Sequence, residues 1–132
     1  FKAGVPLFCV ERLATYIPGA NRARMPSALV LTGIDRPKHV LAADASSRPT
    51  YILSDLRELH EPYPEARTKR DGTVTVGDAA VRIFGNDVTL LTAGDKQVDV
   101  VRAGAKAIWD SGRTIYGLNV DERLYADPFH RP

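Results

Sequence analysis

The sequence predicts one α+β domain. Its antiparallel sheet includes a three-strand meander at about 73–92, covered by a helix at about 96–111, with extended terminal arms. Three observations lead there. Thr73–Val76, Ala79–Phe84 and Asp87–Thr92 are β-like segments separated by Gly77-Asp78 and Gly85-Asn86. A two-residue hairpin loop favours Gly at its first position, where φ is positive. Lys96–Ser111 then carries Val98, Val101, Ala105 and Ile108 at helical spacing and ends at Gly112. Finally, 132 residues with 44% apolar and 26% charged content suit a single globular core.

Taken in order, Pro6 to about Ile17 reads as a helix, with Val10, Leu13, Ala14 and Ile17 on one face and Pro18-Gly19 as its stop. Gly19–Ser27 reads as a basic loop bearing Arg22 and Arg24. Leu29–Thr32 and His39–Ala42 read as short strands able to pair as a hairpin around Gly33–Pro37. Thr50–Leu53 is extended, and Ser54 caps a short helix with Asp55 near its positive end. Asp95 is placed to cap the long helix, whose Ala103, Gly104, Ala105 and Ala107 make it thin enough for close packing. Thr114–Leu118 is a last strand. Val120–Pro132 is a C-terminal docking tail with aromatic anchors.

Composition excludes several classes. No apolar run approaches the roughly 18 residues of a membrane-spanning helix. A single cysteine, Cys9, rules out an internal disulfide framework and a cysteine-rich zinc site. It fits a reducing compartment. The first residue, Phe1, leads to the expectation of a processed N-terminus. The net charge of +2 is uneven: residues 1–70 hold eleven Lys/Arg against seven Asp/Glu, so an anionic partner would meet the front half.

Complete catalytic motifs are missing from the sequence. Cys9 near a helix start and His39 opening a strand follow the order of papain-like cysteine hydrolases, with Asp44 or Asp55 available to orient the imidazole. The apolar neighbours Phe8 and Val10 favour a buried, inert thiol. His39, His60 and His130 lack metal-ligand spacing, and no glycine belongs to a phosphate-binding pattern. Neither a metal nor a cofactor is assigned.

From Tyr51 to Gly112 the order helix, three antiparallel strands, helix resembles the double-stranded RNA-binding domain. Gly94-Asp95-Lys96 leads into its Ala-rich last helix. The resemblance covers about half the chain and implies RNA contact, yet Lys96 stands alone beside Asp95 and Asp99 where that family carries a lysine cluster.

The reading that follows is a non-enzymatic structural or interaction subunit. It docks on protein partners, or on copies of itself, through Phe1, Leu124, Tyr125 and Phe129. The alternatives are a nucleic-acid-associated domain, making weak phosphate contact through Arg22, Arg24, Arg67, Lys69 and Arg70, and a small cysteine hydrolase using Cys9 and His39.

Overall fold

The computed structural model describes residues 8–10, 13–31 and 36–126. The expectations placed on Phe1–Pro6, on the turn at Gly33 and on Phe129 lie outside them. Helices and strands are mixed, as the sequence implies, but the first sixty residues fold differently from the reading above.

Strands β1 (Phe8–Val10), β2 (Ser27–Val30) and β3 (Tyr51–Leu53) form a parallel sheet in the order β1-β2-β3. Cys9 lies opposite Ala28, and Leu29 opposite Ile52. Parallel neighbours need crossovers in place of a hairpin. Helix α1 (Leu13–Arg22) joins β1 to β2, while α2 (Pro37–Leu41) and a 3-10 turn at Ala45–Ser47 join β2 to β3.

The expected strand at His39–Ala42 is therefore helical. Pro37 starts α2 with its φ already suited to a first turn, and Val40 and Leu41 are buried. Helix α1 begins at Leu13 and continues through Pro18-Gly19, where the sequence suggests a stop. Ile17 and Ala20 on either side are buried, and tertiary packing outweighs the donor that Pro18 lacks. Arg22 and Arg24 consequently lie at the end of α1 and in the turn after it, exposed. Strand β2 is buried at every position: Leu29 joins the main core, while Ala28 and Val30 join Leu53 on the opposite face. Such two-sided burial explains why β2 reads as a continuous apolar run.

The second sheet has the order β4-β5-β6-β7-β8: β4 (Ala66–Thr68), β5 (Val74–Val76), β6 (Ala79–Phe84), β7 (Asp87–Thr92) and β8 (Asn119–Val120). Pairing is antiparallel from β4 to β7, and β8 runs parallel to β7. Helix α3 (Gln97–Asp110) is the crossover between those last two strands. Its N-cap is Lys96, with no side-chain capping bond, so Asp95 does not take the role expected of it. Ile115–Gly117 is a 3-10 turn where a strand was expected; the strand begins at Asn119, whose N–H donates to Asn86 O at 2.7 Å.

One core serves both sheets. Ile17, Leu29, Leu41 and Ile52 from the first part cluster with Val81, Val101, Ile108 and Leu124 from the second. Leu124, in a 3-10 helix at Glu122–Tyr125, is fully buried against its own chain. A methyl on Gly104 of α3 would overlap Leu124 Cδ2 and would sit 3.4 Å from Leu41 Cδ2. Tyr125 is half-buried, with Lys38 Nζ 5.9 Å from its ring centre.

Asp121 fastens this segment. It accepts from Leu90 N–H at 3.3 Å and from Arg123 Nη2 at 2.7 Å, while Arg123 also donates to Leu90 O at 3.1 Å. Hydrogen bonds from the Arg123 guanidinium, more than from any other group, hold the Asp121 carboxyl at a pKa of about 2.

Three outcomes are expected. Leu124→Ala lowers stability by about 2–5 kcal/mol in urea titrations, as deletion of a buried leucine does. Gly104→Ala is destabilising alone and costs less in the Leu124→Ala background, which a double-mutant cycle reads directly. For Asp121, the folded pKa lies below the roughly 3.9 of an unfolded aspartate. Its contribution is thus present above about pH 4 and is lost as pH falls toward about 2. Asp121→Asn should flatten the stability profile across that window.

Candidate functional site

In open parallel sheets the carboxyl ends of the strands are where ligands bind. Strand β3 delivers Ser54 and Asp55 to that end, followed by a 3-10 helix at Leu56–His60. Asp55, rather than Ser54, is its N-cap: the carboxylate accepts from Arg57 N–H at 2.8 Å and takes the Arg57 guanidinium side-on, at 2.9 and 3.0 Å. Glu58 reaches back, so that one oxygen, Oε1, accepts from Ser54 N–H at 2.6 Å, from Asp55 N–H at 3.3 Å and from the Ser54 hydroxyl.

The other Glu58 oxygen accepts from Arg102 Nη2 at 3.1 Å. Arg102 enters from α3 with only 6% of its side chain exposed. Its Nη1 meets Asp99 Oδ1 at 2.9 Å, its Nε donates to Ile52 O at 2.8 Å, and its guanidinium carbon lies 4.6 Å from the Tyr63 ring centre. The Tyr63 hydroxyl accepts from Ile52 N–H at 3.0 Å. Burial pushes the Tyr63 pKa up, and the nearby guanidinium pulls the other way. Beside this cluster a cleft of about 470 Å³ opens between Ser54–Glu58 and the start of α3, with Glu61, Asp95 and Lys96 at its rim.

Sequence reasoning missed Glu58, Asp99 and Arg102. The available signal was the Asp99–Arg102 spacing of three, a helical neighbour pair beside the apolar stripe of Val98, Val101 and Ala105.

The residues singled out from sequence are dispersed. Cys9 lies on β1, not at a helix start, and is exposed, which corrects the expectation of a buried thiol. Partial burial raises its pKa, opposite to what a nucleophilic cysteine needs. His39 sits in α2, and its Nδ1 accepts from Arg36 N–H at 3.0 Å. Arg67, Lys69 and Arg70 are exposed on the β4–β5 hairpin of the second sheet, apart from Arg22 and Arg24 at the end of α1 and in the turn after it. Leu124 is in the core, and Phe1 and Phe129 are outside the described residues.

Residues 12–59 match the HAD-hydrolase-like family model. The chain is also 38% identical over 104 residues to the D-glycerol 3-phosphate phosphatase of Mycobacterium tuberculosis. That alignment takes in 76% of this chain and 30% of the phosphatase. Crystal structures of the glycerol phosphate phosphatase Rv1692 from the same organism superpose with a TM-score of 0.68. The complex with magnesium is 30% identical, covering 89% of this chain and 33% of the other. The complex with calcium is 32% identical, covering 90% and 36%. The chain therefore spans about a third of the length of these relatives.

These similarities overturn the expectation of a non-enzymatic structural subunit and, with it, the RNA-binding and cysteine-hydrolase alternatives. What they show is likeness to a HAD-hydrolase-like segment and to part of a glycerol phosphate phosphatase. The helix expected to open the RNA-binding-like order is in fact the five-residue 3-10 helix at Leu56–His60.

The relative holds magnesium in its crystal, so the donors found here were tested against such an ion. Mg²⁺ is held through carboxylates that keep several waters around it. Among the described residues no three His, Cys, Asp or Glu side chains come together as a metal site. Asp55 is taken by Arg57, and Glu58 and Asp99 by Arg102. A cation would face a guanidinium at each of these carboxylates, so they do not fit the ion.

Cys9 should label with a thiol reagent in the native protein, without denaturant. Its rate should keep rising to a higher pH than that of an unperturbed thiol, because the raised pKa withholds the thiolate. Mass spectrometry over a pH series reads both effects.

Proposed function

We propose that this chain forms part of a HAD-like phosphatase acting on a small phosphorylated polyol of the glycerol phosphate type. The observation that carries the reading is the 38% identity over 104 residues to an enzyme of that activity. Architecture supports it: the family match at 12–59 takes in α1, β2, α2 and β3 of the parallel segment, the kind of layer whose carboxyl edge holds ligands. The chemistry belongs elsewhere than at Asp55, Glu58 and Asp99, which are already committed to arginines. We further read the meander β5–β7 with α3 over it as a brace for the parallel segment. Helix α3 meets that segment through Arg102 and Ile108, not through a phosphate-binding loop.

Phosphoryl transfer depends on holding the phosphate, the attacking group and counter-charges in register, so a brace contributes through positioning. The test is a chimera in which this chain replaces the matching segment of the mycobacterial phosphatase. The chimera should release inorganic phosphate from D-glycerol 3-phosphate with magnesium present. A chimera that is monodisperse and folded by circular dichroism, yet releases none, would sink the reading.

A further inference from the structure

We infer that Arg102 is a positioning residue: acting through Glu58, it lets the C-terminal sheet-and-helix part fix Ser54–Glu58 at the carboxyl end of the parallel sheet. This rests on the phosphatase reading for its functional meaning, though not for its geometry.

Ser54 and Asp55 present their backbone N–H groups to a single acceptor, Glu58 Oε1. Leu56, at the start of the 3-10 helix, is half exposed, while Leu59 packs on Ala28, Val30 and Leu53. What keeps the Glu58 carboxylate in place is its second oxygen, bonded to a guanidinium that is itself fixed by Ile52 O and Asp99. Arg102 comes from a helix 44 residues away from Glu58 in sequence. Its planar fork addresses three acceptors in three directions, which a lysine ammonium on a flexible stem cannot reproduce. Ser54 and Glu58 also line the cleft, so any displacement of Glu58 changes the cleft wall.

Hydrogen–deuterium exchange on the full 132-residue chain tests the geometry. In Arg102→Lys and in Glu58→Gln, the Ser54 and Asp55 amides should exchange faster by on the order of tenfold, the loss expected for one charge-assisted hydrogen bond. Amides in β6 and in the middle of α3 should keep their rates. In Arg102→Ala, a low, non-denaturing concentration of guanidinium chloride should slow the two amides again, and sodium chloride should not. Unchanged exchange at Ser54 and Asp55 in both conservative variants, or acceleration no greater than in β6, overturns the proposal.

The functional arm uses the active chimera carrying Arg102→Lys. KM for glycerol 3-phosphate should rise several-fold while kcat stays near its original value. If the unsubstituted chimera is inactive, the phosphatase reading fails and the exchange result still decides the latch. If the chimera is active and KM does not move despite faster exchange, the positioning role is wrong.

Discussion

A guanidinium almost wholly removed from water must be matched by acceptors, or its desolvation would exceed anything the fold gains from packing it. Arg102 meets this constraint with acceptors from both halves of the chain: Ile52 O and Glu58 from the parallel part, Asp99 from its own helix, and the face of Tyr63 from the connecting segment. Neither half can satisfy the group alone. This side chain ties β3, the turn after it and α3 together within the shared apolar core. Such a pair adds little net stability compared with an apolar replacement, but removing one partner leaves a buried charge short of its counter-charge. Its effect is geometric definition more than strength.

That view gives the similarity to glycerol phosphate phosphatases a structural sense. The family model ends at residue 59, just past Glu58, whereas the crystal structures superpose over 89–90% of the chain, a span that takes in both sheets. The C-terminal part thus recurs in those phosphatases beside the HAD-like segment rather than inside the matched family region. Helix α3 forms the wall between them, thin at Gly104 where both Leu41 and Leu124 pack. Asp121 and Arg123 hold the end of the chain against β7, which keeps Leu124 in register over that glycine.

Legibility in the sequence divided along the kind of force involved. The mixture of helix and strand was readable, and so were the positive-φ positions at Gly77 and Gly85, because local backbone sterics dictate both. The parallel sheet was not. Val40 and Leu41 carry apolar side chains compatible with strand or helix, and only the crossover that parallel pairing requires decides between them. Pro18 was a misleading stop, since the burial of Ile17 and Ala20 outweighs one missing donor. The candidate site was least visible: Glu58 and Arg102 are ordinary charged residues until the fold places them together across 44 positions. Local motif searches favour Cys9 and His39 because they scan short windows. The likeness to HAD-like hydrolases came from whole-segment comparison rather than from any single motif.

The order in which the chain is made adds one consequence. Ile52 and Glu58 leave the ribosome well before Arg102, which follows Ile52 by 50 residues. At synthesis rates of roughly 5–20 residues per second, that interval is on the order of several seconds. During it the nascent parallel segment holds a carboxylate whose counter-charge does not yet exist, and an apolar face still waiting for α3. The emerging polypeptide must therefore stay solvated at Glu58 and shielded at Leu29 and Ile52 until its own later residues arrive, a window in which chaperone contact or misassociation competes with folding.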